Sequence, residues 1–77
     1  MNKIRRKALE EIMTRIEDIK SDIESLRDEE QEYLDNMPES LQSSERATNA
    51  ENAVSNLDDV INSLEESTSS IDDAITL

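Results

Sequence analysis

A single proline separates two long heptad patterns, and that arrangement limits the chain more than any other feature. Leu9, Ile12, Ile16, Ile19, Ile23 and Leu26 advance in alternating steps of three and four, and the series continues through Glu30 to Tyr33. Beyond the proline, Ala47, Ala50, Val54, Leu57, Ile61, Leu64, Thr68, Ile71 and Ile75 repeat the alternation, with Thr68 its one polar member. Only an α-helix gathers positions three and four apart onto one face, so each pattern predicts a helix with one apolar stripe. The chain has no Gly, the residue that would weaken a helix interior.

The connection runs from Leu34 to Ser44. Pro38 disfavours helical geometry at Met37, and the Ser residues after it offer side-chain oxygens to cap a new helix. Asn36 and Glu39 have capping-box spacing, which allows one helical turn inside the connection before Ser43 or Ser44 caps the second helix. The expected fold is all-α, an antiparallel two-helix hairpin of coiled-coil type. Its first helix spans about residues 3–35, its turn about 36–43 and its second helix about 44–75, all within one unit, 1–77. A net charge of −12 and the near-absence of aromatics would also suit disorder, but disorder predicts no regular apolar spacing.

The pattern also predicts a register. With Leu9 and Ala47 at heptad position a, a fold about residue 40 joins residues whose numbers total 80, and every such pair matches an a with a d. Tyr33 then meets Ala47, Leu26 meets Val54, Ile19 meets Ile61, Ile12 meets Thr68 and Leu9 meets Ile71. At the e positions the same register sets Arg6 near Asp72, Met13 near Glu65, Lys20 near Asp58 and Arg27 near Glu51. Three of these four are opposite charges, which select orientation more than they stabilise. The g side is small and only partly charged: Ala8 faces Ala74, Asp22 faces Val60 and Glu29 faces Ala53. Small residues beside a helix seam let another helix approach closely, which makes Ala8, Ala53, Val60 and Ala74 candidates for docking. Alanine chosen simply as the best helix former accounts for them as well.

Two amphipathic helices cover each other on one side only. A chain of 77 residues without disulfides is marginally stable, so association into a bundle, as a dimer, is expected. The absence of Cys and His removes the usual zinc ligands and the common nucleophile and base pairs. No segment has the alternating oxygen ligands and Gly of a calcium loop, and no Glu has the His partner of a helical di-metal site. Neither an enzyme nor a bound cofactor or metal is expected. Apolar runs reach only two residues, so neither a membrane span nor a signal peptide is expected, and a cytoplasmic location is the default.

Charge is distributed unevenly. Lys3, Arg5, Arg6 and Lys7 form a basic cluster at the start, which in a hairpin lies beside Asp72 and Asp73. Direct nucleic-acid binding is not expected, because the rest of the chain is strongly acidic. The second helix has no Lys or Arg after Arg46, and its acids recur every seven residues as Asp58 and Asp59, Glu65 and Glu66, Asp72 and Asp73. Asp59, Glu66 and Asp73 project outward at f. They form either a solvated face or a negative surface suited to a basic groove. Glu30 is the one charged member of the central stripe, expected to reach solvent or Arg46. Tyr33, Met37, Pro38 and Leu41 make a third candidate patch at the hairpin tip, although packing of the turn also explains them.

The segment from Arg27 to Arg46, RDEEQEYLDNMPESLQSSER, resembles one shared by small, largely uncharacterised acidic helical-hairpin proteins of Gram-positive bacteria, their phages and mobile elements. The basic start, the turn and the acidic second helix extend the likeness over the whole chain. The turn is the specific part, since heptads occur widely. The resemblance implies an accessory protein that acts on host machinery in the bacterial cytoplasm, and it transfers no catalytic residue. Three functions follow as expectations: a protein-interaction module, an acidic nucleic-acid mimic that inhibits a host defence or nucleic-acid-binding enzyme, and a structural spacer or assembly chaperone.

Overall fold

A computed structural model describes residues 1–77. The first helix, α1 (Lys3–Asp35), starts where the Asn2 side chain accepts a 2.8 Å hydrogen bond from the Arg5 backbone N–H. It ends at Asn36, whose N–H donates to the carbonyl of Glu32. Pro38 holds an extended backbone (φ −56°, ψ 145°), and a 3-10 turn, Glu39–Leu41, follows it. The second helix, α2 (Glu45–Thr76), is capped by Ser44, whose hydroxyl accepts from the Ala47 N–H at 3.3 Å. Asn36 therefore closes the first helix instead of opening a capping box with Glu39. Of the two serines offered by the sequence, Ser44 is the cap.

The helices lie side by side in a hairpin 59 Å long and 15 Å across. No strand is present, and no helix is long and apolar enough to cross a membrane. Few residues are buried: Met37, Ala47, Ala50, Val54, Thr68 and Ile75. Every one of them belongs to α2 or the turn, as expected when a thin hairpin has one seam and no second layer. Along α2 the covered row is the a/d stripe, with Leu57, Ile61, Leu64 and Ile71 partly buried between the closed positions. Thr68 sits in that row with its hydroxyl donating to the Glu65 carbonyl at 2.9 Å, so its polarity is satisfied within its own helix.

On α1 the structure corrects the expected stripe. The a positions Leu9, Ile16, Ile23 and Glu30 are partly buried, but their companions are the e positions Arg6, Met13, Lys20, Arg27 and Leu34. The d positions have turned outward: Ile12 is 38% exposed, Ile19 51%, Leu26 57% and Tyr33 47%. Ile19 therefore does not meet Ile61 in a closed layer. The register changes with the rotation. Arg27 Nε donates to Asp58 Oδ1 at 2.9 Å and Lys20 Nζ lies 3.6 Å from Glu65 Oε1, and in both pairs the residue numbers total 85. Setting covered residues opposite covered residues gives a total of 84, with Ile23 across from Ile61, Leu9 from Ile75 and Met37 from Ala47. The helices are thus about one turn further along each other than a total of 80 requires.

Two features of the side chains favour this arrangement. Lys20 and Arg27 lay their aliphatic stems across the seam, leaving side chains only 19% and 29% exposed, while their charged ends reach acids at the rim. At the tip, the small Ala47 and Ala50 leave room that the buried Met37 and the partly buried Leu34 can occupy. A total of 80 would have set Glu30 against Ala50 and left that space to a carboxylate.

Candidate functional site

The rotation of α1 gives the hairpin two unlike flanks. The ion pairs mark one of them. Arg27 bonds Asp58 and also lies 3.3 Å from Asp28, and Lys20 bridges Glu65 and, at 3.5 Å, Glu17. The hydrogen bond to Asp58 is the main cause that holds the Arg27 pKa above its ordinary value. At Lys20 partial desolvation opposes the charge, but Glu17, Glu65 and Glu24 outweigh it and the pKa is raised. These pairs differ from those expected at the e positions, because the register moved: Lys20 takes Glu65 in place of Asp58, and Arg27 takes Asp58 in place of Glu51. Arg6 and Asp72 form no pair. Arg6 curls back so that Nη2 donates to the Met1 carbonyl at 3.1 Å, and its Nε is shut off from solvent without a partner. The basic cluster likewise makes no ion pair with Asp72 or Asp73, and Glu30 makes none with Arg46.

The ion pairs join e to e, so helical geometry places the d row of α1 on the opposite flank, beside the g row of α2. That flank carries Ile12, Ile19, Leu26 and Tyr33 on one helix, with Ala53, Val60, Ser67 and Ala74 on the other. Val60 is 40% exposed, and Ala53 and Ala74 are partly buried. Outside the g row, the c positions of α2 are Asn49, Asn56, Ser63 and Ser70. Every acid of α2 falls at e or f, so after Arg46 this helix contributes no charge at all to the flank. Asp59, Glu66 and Asp73 are exposed on the far side. Ala8 is also exposed, but it lies at g of α1, behind the outward d row, and no longer faces Ala74 across the seam.

The flank ends at the tip in an open recess of about 450 Å³, lined by Tyr33, Met37, Pro38 and Leu41 together with Glu29, Glu32, Asn36 and Arg46. The structure therefore gathers the tip candidates Tyr33, Met37 and Leu41 and joins them to the Ala53 and Val60 row. Leu41 is 39% exposed, whereas Met37 is 7% exposed and belongs chiefly to the packing of the turn. Acidic side chains converge nowhere in a group able to hold a metal ion. No protein-family model, curated protein or solved structure matches this chain.

Sequence reasoning missed Ile12, Ile19 and Leu26 as surface residues because it assigned them to the seam. A signal for them was present: the c and g positions of α2 are free of charge from residue 47 onward in a chain of net charge −12. An uncharged strip beside an apolar row is a candidate contact surface.

Proposed function

We propose that the hairpin is a non-enzymatic protein-interaction module that docks through its neutral flank, acting as an accessory protein of phage or mobile-element type in the bacterial cytoplasm. The observation that carries this reading is the outward row Ile12, Ile19, Leu26 and Tyr33 beside a strip of α2 without charge. Four large apolar side chains at heptad spacing form a continuous stripe about 32 Å long at helical rise. Each is about half exposed, so covering it removes about 0.7 to 1.5 kcal/mol of hydration cost, which gives a partner a reason to bind. The turn resemblance agrees with an accessory role and adds no site.

A second reading rests on the other face. Asp59, Glu66 and Asp73 stand exposed in a seven-residue repeat, so they make a negative stripe suited to a basic groove that otherwise holds nucleic acid. The two readings respond differently to salt. Host lysate passed over the immobilised hairpin at about 0.1 M and about 1 M NaCl separates them. Docking through the neutral flank predicts proteins retained at high salt and lost with Ile19→Asp combined with Leu26→Asp. Groove occupancy predicts proteins released by salt and lost with Asp59→Asn, Glu66→Gln and Asp73→Asn, which would overturn the first reading. Retention of nothing under either condition points to a spacer.

A further inference from the structure

We infer that the neutral flank is covered by a second copy of this chain, in a twofold four-helix bundle where α1 of each hairpin lies across α2 of the other. The inference deepens the docking reading above and rests on it. Charge is the first argument. Each copy carries a net charge of −12, so two copies approach only through a surface that adds little to that repulsion. The neutral flank is such a surface: all acids of α2 lie at e or f, away from it, and the Asp22 and Glu29 of α1 at its outer edge are balanced by Arg15 and Arg46.

Size is the second. A hairpin 59 Å long and 15 Å across offers a flank of about 900 Å², against the roughly 800 Å² per partner of a stable interface. Shape then chooses the arrangement. With the twofold axis parallel to the helices, the large row of α1 lies over the small row of α2: Tyr33 faces Ala53 of the second copy, Leu26 faces Val60, Ile19 faces Ser67 and Ile12 faces Ala74. With the axis across the helices, α1 lies on α1. Large residues then collide along one side, while Ala53, Ser67 and Ala74 face each other over a gap, which close packing disfavours. The first arrangement also sets Asp22 and Glu29 of one copy beside the Ser and Asn side chains at c of the other, in place of like charges.

The absence of native Cys makes the test clean. Chains carrying Leu26→Cys are mixed with chains carrying Val60→Cys and oxidised, and the wild type is sized by light scattering across about 5 to 500 µM. The expected result is a two-chain mass for the wild type, with the mixed disulfide in several-fold excess over either like disulfide. Ile19→Asp with Leu26→Asp should return the one-chain mass. A wild type that stays single over that range overturns the second copy as occupant. It leaves the docking reading standing, because that reading is judged by lysate proteins retained at high salt through Ile19 and Leu26. A two-chain mass with like disulfides of Leu26→Cys in excess overturns the proposed arrangement.

Discussion

Along one flank of this hairpin, Lys20 and Arg27 reach over the seam to Glu65 and Asp58. Along the other, Ile19 and Leu26 face outward beside Val60 and Ser67. The same two helices build both, and a rotation of α1 by about 50°, from a seam at a and d to one at a and e, separates them. The charged flank meets its own needs: the long stems are largely covered, and the ends find carboxylates. The neutral flank leaves its apolar groups in water. A surface ion pair contributes little, whereas half-exposed apolar side chains each hold about a kilocalorie that only a further contact releases. Function is therefore to be sought where the hairpin is unfinished.

The largest expected effect comes from charging the unfinished flank. In an isolated hairpin, residues as exposed as Ile19 and Leu26 tolerate substitution within about 0.5 kcal/mol. Covered by a second copy, Ile19→Asp with Leu26→Asp should cost about 2 to 3 kcal/mol in lost burial, since each side chain is about half exposed in the hairpin. Urea denaturation of the double variant distinguishes the two, with the exposed Ser55→Ala and Asn62→Ala on the charged flank as the neutral control. A smaller effect is expected in the seam between the flanks. Thr68 is buried in an otherwise apolar row and its hydroxyl bonds only its own helix, so Thr68→Val should stabilise by about 1 kcal/mol without altering which flank docks.

Salt gives the next comparison. α1 carries cations at its N-terminus and carboxylates at its C-terminus, the reverse of what the helix dipole favours, and the whole chain is at −12. Screening should relieve more repulsion than it removes attraction from the two ion pairs between the helices, so the melting temperature should rise with NaCl. A fall would mean that the ion pairs attract more strongly than the excess carboxylates repel. The smallest effect is at alkaline pH. The Lys20 pKa is raised, so its contribution is complete below the ordinary lysine pKa of about 10.4 and is lost as pH climbs through the raised value. Melting curves from about pH 9 to pH 11 should fall slightly more for the wild type than for Lys20→Met.

How much of this was legible in the sequence follows from what a heptad does and does not encode. The two stripes and Pro38 were enough for an all-helical antiparallel hairpin with its break between Asp35 and Glu45, because steps of three and four permit little else. Rotation and register were not legible to that method. Counting Lys and Arg as polar made a/d the only seam on α1, yet Arg6, Lys20 and Arg27 have apolar stems that make a/e an equally good one. The register then follows Met37 into the turn, where a buried side chain adds a layer over Ala47 that a fold drawn about residue 40 does not contain. The docking candidates Ala53, Val60 and Ala74 were found by size alone. Their large neighbours were hidden because the sequence assigned them to the core.

The central claim is the rotated seam, and intramolecular disulfides test it most directly. Two double variants, Ile23→Cys with Ile61→Cys and Ile19→Cys with Ile61→Cys, are oxidised at low concentration and the rates of intrachain closure compared. A pair that closes without distortion needs its Cα atoms within about 7 Å. Closure of the Ile23 and Ile61 pair ahead of the other is the predicted result. Faster closure of Ile19 with Ile61 would restore the total of 80, return Ile12, Ile19 and Leu26 to the interior, and remove the neutral flank along with them.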